Sequence, residues 1–133
     1  MRPALAGVTG GLSGPAVRPV AVRCVYQVHA ALPDVPIVGM GGVKTGSDAF
    51  ELVLAGASAV SVGTSVFHDP SAPVRVLAEL RELLAARGFE RFSDAVGHAH
   101  RAPEAPGGTA PEALGTDADA PVGTDRTEPE EAP

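Results

Sequence analysis

The chain has 133 residues, with ten Lys/Arg against sixteen Asp/Glu, and residues 101–133 carry the whole net charge of −6 while residues 1–100 balance at eight of each sign. That length favours one compact domain, and the body shows neither the basic stripe nor the aromatic platform of a nucleic-acid binder. No apolar run approaches the ~18 residues of a membrane span, and the lone cysteine, Cys24, excludes an internal disulfide framework and fits a reducing compartment.

The opening MRPALAGVTGGLSG lacks the sustained apolar core of a signal peptide, so a soluble, cytoplasmic chain is expected. Residues 3–15 read as a short extended piece running into a loop. From Val17 the pattern turns helical: Val17, Val20, Ala21, Cys24, Val25, Val28 and Leu32 share one stripe, and Pro33 and Pro36 bracket the exit. PIVGM, 36–40, reads as a strand covered on both faces. After Gly41-Gly42, Thr45 and Asp48 fit a capping box, opening a helix that ends at Gly56. SAVSVG, 58–63, predicts a second buried strand, closed by Gly63-Thr64-Ser65. A helix over roughly 73–87 turns Val76, Leu77, Leu80, Leu83 and Leu84 inward, and 89–97 adds a final helical turn or two.

Strand, helix, strand, helix in short alternation implies an α/β fold with a parallel sheet. Residues 101–133 hold six of the thirteen prolines, many acids and no aromatic residue. That composition predicts a disordered acidic tail, giving a folded body at 1–100 and a tail at 101–133.

Two small-residue corners, Gly41-Gly42 and Gly63-Thr64, each follow a strand and each precede a helix. A glycine corner lets backbone N–H groups turn toward an anion without Cβ interference, and a helix amino end adds partial positive charge. Two neighbouring corners can therefore share one phosphate, as the loops after strands 7 and 8 of a (β/α)₈ barrel commonly do. Either corner alone is weak evidence, because many turns need glycine for geometry only. Other candidates are weaker still. Cys24 on the apolar stripe reads as a packed thiol. His98 and His100 lie two apart, a poor spacing for zinc on a helix. His29 and His68 have no partner by spacing, and Lys44 reads as a solvated lysine within reach of a phosphate. No nucleophile–base pair stands out.

Three segments in order, GGLSGPAVRPVAVRCVYQV, PIVGMGGVKTGSDAFELVLAGASAVSVGTSVF and GFERFSDAVGHAH, resemble the carboxyl-terminal part of dihydroorotate dehydrogenases across nearly all of residues 1–100. GGLSGPA and VGTSVF favour class 1, in its NAD-linked branch. The resemblance implies an FMN-binding (β/α)₈ TIM barrel that oxidises dihydroorotate to orotate in pyrimidine synthesis, with an FAD/iron–sulfur electron-transfer subunit as partner. It maps flavin contacts onto Ser13-Gly14, Gly41, Gly42, Gly63 and Thr64, the last two pairs at the FMN phosphate.

The same resemblance implies what is missing. Such a barrel needs on the order of 250 residues, and the family's flavin-contacting lysines, substrate asparagines and base loop precede GGLSG. In the NAD-linked branch that base is a cysteine, and Cys24, on an outer helix, is not its counterpart. Met1 is thus expected to begin inside the family's sequence, leaving a chain without dehydrogenase activity of its own and with an open sheet edge prone to self-association. Two further readings stay open: another FMN- or phosphate-binding barrel, such as a hydroxy-acid oxidase or nucleotide dehydrogenase, and a non-catalytic half-barrel that binds phosphate or another chain.

Overall fold

In the computed structural model the structure describes Gly7 and residues 9–101. The acidic tail beyond Arg101 and most of the piece at 3–8 lie outside the described residues, and residues 9–13 form no strand. Gly14, at φ 84°, turns the chain into a 3-10 turn, Pro15–Val17, that runs into helix α1, Arg18–Ala31. Pro19 falls in the first turn of α1, where a missing N–H removes no helical hydrogen bond.

The apolar stripe of α1 is only partly inward. Val25 is buried and Val17 and Ala21 are half-buried, but Val20, Val28, Leu32 and Cys24 are exposed. Cys24 is therefore not the packed thiol that its position on the stripe implied. Helix α1 meets the core along a narrow line through Ala21, Val22 and Val25, so most of a broad stripe finds no neighbour among the described residues.

Strands β1, Val38–Met40, and β2, Ala59–Ser61, pair in parallel, with Gly39 opposite Val60 and Met40 opposite Ser61. Helix α2, Gly46–Leu54, connects them. It lies so close to β1 that a Cβ on Gly39 would sit 2.8 Å from Ala57 Cβ and 3.2 Å from Leu52 Cβ. The two strands were expected to be covered on both faces, and they are not. Gly39 is buried against α2, whereas Val38 and Met40 on the opposite side are 57% and 62% exposed. Ala59 of β2 is exposed, and Val60 and Ser61 are half-buried.

After a 3-10 turn at Thr64–Phe67, helix α3, Ala72–Ala86, packs on α2. Val76, Leu80 and Leu84 are buried and Leu83 is half-buried, as the periodicity predicts, but Leu77 at the margin of the stripe is exposed. Leu52 and Val53 of α2 are fully buried between these layers, each worth roughly 1.5–3 kcal/mol of transfer free energy. A short helix α4, Phe92–Ala95, ends at Gly97, whose φ of 66° turns the chain back onto α2. Gly97 N–H donates to Val53 O at 3.0 Å. His100 Nε2 lies 2.9 Å from Ala55 O and its ring stacks on Tyr26 at 3.9 Å, while His98 meets the edge of Phe89 at 5.1 Å. The two histidines thus serve separate neighbours.

Candidate functional site

The two corners leave the sheet side by side. Gly41 follows β1 directly and Gly63 follows β2 two residues after Ser61, at the strand ends that the Met40–Ser61 pairing brings level. Ser65 Oγ donates to Val43 O at 2.6 Å, so the second corner is bonded to the first. Gly14 joins them from the start of α1. A Cβ on Gly42 would lie 2.8 Å from Gly14 O and 2.8 Å from Arg18 Cβ, and Gly42 has φ 73°. Space and conformation both require glycine there. Ser13, Gly14, Gly41, Gly42, Gly63 and Thr64 all line one cavity of about 700 Å³. Among the described residues no acceptor engages the N–H groups of Gly42, Gly63 or Thr64.

The amino end of α2 is differently employed. The capping box forms as its spacing predicts: Thr45 Oγ1 accepts from Asp48 N–H at 3.3 Å, and Asp48 Oδ2 accepts from Thr45 N–H at 2.8 Å and Lys44 N–H at 2.9 Å. Glu79 reaches across from α3 and accepts from Gly46 N–H at 2.6 Å. Four amides at this helix end are already bonded to protein oxygens, and two carboxylates offset its dipole. The helix end that sequence reasoning enlisted for an anion is therefore occupied, and the unengaged amides are those of the corners themselves.

Two arginines brace the same loop. Arg18 pairs with buried Asp48 and, at 3.2 Å, with Glu51. Arg75 pairs with Glu79 at 2.8 Å and Asp69 at 3.1 Å, and donates to Lys44 O at 3.3 Å. Burial works against ionised Asp48, but the Lys44 and Thr45 N–H groups, the Thr45 hydroxyl and Arg18 outweigh it and hold its pKa below the ordinary carboxylate value. The Gly46 N–H and Arg75 likewise lower Glu79, and the Ser71 hydroxyl and Arg75 lower Asp69. Those bonds to Glu79 and Asp69 raise Arg75 in turn.

Sequence reasoning singled out the glycines and Thr64, which line one cavity, and did not single out Arg18, Arg75 and Glu79 as parts of the loop's support. Arg18 and Asp48 are 30 positions apart, and Gly46 and Glu79 are 33 apart, so no local pattern connects them. The one available signal was the i,i+4 spacing of Arg75 and Glu79 on α3. Chemically, the cavity offers backbone donors, the Thr64 hydroxyl, Lys44 and the carboxylate-paired Arg75, an arrangement suited to holding an anion. Its wall includes His68 and Asp69 but not Cys24. No cluster of three or more His, Cys, Asp or Glu able to hold a metal occurs among the described residues.

The chain is similar to known proteins over most of its described length. A family model described as dihydroorotate dehydrogenase matches residues 1–84. The catalytic subunit of dihydroorotate dehydrogenase B (NAD(+)) from Desulforudis audaxviator is 52% identical over 100 residues, covering 75% of this chain and 32% of the relative. A relative from Aquifex aeolicus, provisionally named dihydroorotate dehydrogenase A (fumarate), is 48% identical over 101 residues, covering 75% and 33%. The crystal structure of the Eimeria tenella enzyme with ferulenol superposes with a TM-score of 0.67 at 39% identity, over 70% of this chain and 25% of that one. The chain thus spans about a third of the length of the curated relatives it matches.

Proposed function

This chain belongs to the dihydroorotate dehydrogenase family and has the fold of part of its (β/α)₈ barrel, and from that premise we propose that its glycine corners hold the phosphate of FMN. The observation that carries the reading is the Ser65–Val43 bond, which puts both corners on one cavity. A phosphate needs several donors converging without Cβ atoms in the way, and Gly42, Gly63 and Thr64 carry unengaged N–H groups there. The Thr64 hydroxyl adds a side-chain donor. Gly14 closes the approach from α1, and the exposed side chains of Leu12 and Met40 give the wall an apolar stretch. These residues fit the phosphate end of a flavin.

In the complete barrel the reaction is the oxidation of dihydroorotate to orotate, a step of pyrimidine synthesis, in a cytoplasmic enzyme. FMN, when bound, supplies the two-electron acceptor. This chain's own part is to bind the cofactor and fix its position. The cysteine that serves as base in the NAD-linked branch has no counterpart on the cavity wall: Cys24 lies exposed on α1 and away from it. We expect the chain to bind the cofactor without turning over. The NAD-linked relatives favour the branch that works with an electron-transfer subunit.

Titrating the purified chain with FMN, followed by flavin fluorescence with inorganic phosphate as competitor, tests the site. Saturable binding that phosphate competes away is expected, and absence of binding refutes it. Orotate formation by the same preparation would refute the assignment of a binding role alone.

A further inference from the structure

Resting on the phosphate reading above, we propose that Lys44 is the charge-compensating residue of this site, and that neither neighbouring arginine contributes to it. A phosphomonoester carries about −1.5 to −2 charges near neutrality, whereas backbone amides offer dipoles only. A site selective for the phosphorylated ligand therefore gains from one net positive side chain.

Three fixed cations stand near the corners among the described residues: Arg18, Lys44 and Arg75. Each arginine faces two carboxylates. Arg18 is held by Asp48 and Glu51, and Arg75 by Glu79 and Asp69. Each cluster then sums to −1, so a phosphate could engage either guanidinium only by displacing a carboxylate. Those carboxylates are anchored in turn, Asp48 by the Lys44 and Thr45 amides and Glu79 by the Gly46 amide. The arginines are structural braces.

Arg75 also lines the cavity, but with its guanidinium on Asp69 and Glu79; Lys44 differs in having no such partner among the described residues. It lines the cavity two positions after Gly42 and is exposed, and its side chain has no ion pair with a described residue. Its backbone is fixed from both sides, the N–H by Asp48 at 2.9 Å and the carbonyl by Arg75 at 3.3 Å. The root of the side chain is thus held while the ammonium is left free. A compact charge on a flexible stem can reach a phosphate oxygen without the fixed fork geometry an arginine demands.

The test compares wild type, Lys44→Met and Lys44→Arg in the full 133-residue chain, titrated with FMN and with riboflavin, which lacks the phosphate. Lys44→Met is expected to weaken FMN binding about tenfold, the scale of one charge-assisted contact. It should leave riboflavin binding unchanged and flatten the salt dependence of FMN binding, and Lys44→Arg should recover most of the loss. An unchanged FMN affinity in Lys44→Met, or an equal loss for riboflavin, overturns the assignment and leaves the phosphate site standing. A wild-type chain that holds FMN no more tightly than riboflavin overturns the phosphate reading itself, and this assignment with it.

Discussion

Gly46 opens α2 against the side of α3, and replacing it by alanine sets two effects in opposition. Alanine is the better helix former by at most about 1 kcal/mol, so local propensity predicts a gain. The added Cβ, however, would lie 2.4 Å from Glu79 Cβ, 2.6 Å from Glu79 C and 2.6 Å from Leu80 N. Carbon contacts are comfortable from about 3.5 Å, so the helices must part by roughly 1 Å. Two of the three obstructing atoms belong to the α3 backbone, which no rotamer change can move. With two of the contacts to backbone, the clash belongs in the upper part of the about 1–3 kcal/mol range for overpacking, which leaves a net loss of about 1–2 kcal/mol after the propensity gain. Parting the helices also lengthens the 2.6 Å bond from Gly46 N–H to Glu79 and disturbs the loop that carries Gly41 and Gly42. Urea unfolding of the two proteins reads the stability, and an FMN titration reads the loop. A Gly46→Ala variant as stable as wild type would refute the close helix contact and, with it, the placing of Glu79 over the helix end.

Gly42→Ala should damage binding and folding together. Its φ of 73° is strained for alanine, and the new Cβ meets Gly14 O at 2.8 Å, so FMN affinity is expected to fall at least tenfold, with about 1–3 kcal/mol lost from stability; titration and urea unfolding separate the two. Ser65→Ala removes the 2.6 Å link between the corners and should cost about 1 kcal/mol, with weaker FMN binding as the corners move independently. Acid stability follows from Asp48 and Glu79, whose pKa values lie below the ordinary 3.8 and 4.5. Their contribution is complete above the unfolded-state values and disappears as pH falls through the lower folded-state values. Stability should thus decline from about pH 5 towards pH 3, and Asp48→Asn should make that decline shallower.

The parts of this structure legible in the sequence are those set within a few residues. Thr45 and Asp48 are three apart, and the capping box they predict forms; Gly56, expected to end α2, has φ 122° just past its last turn. Alternating apolar runs and periodic helices placed β1, α2, β2 and α3 in order. Periodicity identifies which residues share a face, but not whether anything lies opposite that face. Val20 and Val28 of α1, and Val38 and Met40 of β1, therefore read as buried and stand exposed. The braces were illegible for a different reason. Arg18 and Glu79 act on residues 30 and 33 positions away, and a charged side chain on a helix reads locally as solvated.

Charge at the corners is divided between holding the protein and holding a ligand. If the arginines were free to bind phosphate, the loop bearing Gly42 would lose its ties to α1 and α3 whenever a ligand arrived, and part of the binding energy would go into ordering it. With Asp48 and Glu79 already on the helix amides and each arginine neutralised, the loop has the same supports with or without ligand. On the proposed reading, recognition is left to donors that cannot rotate away, the amides of Gly42, Gly63 and Thr64, and to one lysine whose backbone is fixed on both sides. Preorganisation of this kind lowers the ordering cost of binding. It also explains why a single methyl group at Gly42 should do more harm than loss of the Thr64 hydroxyl: the first displaces the backbone that makes the site, and the second removes one donor among several.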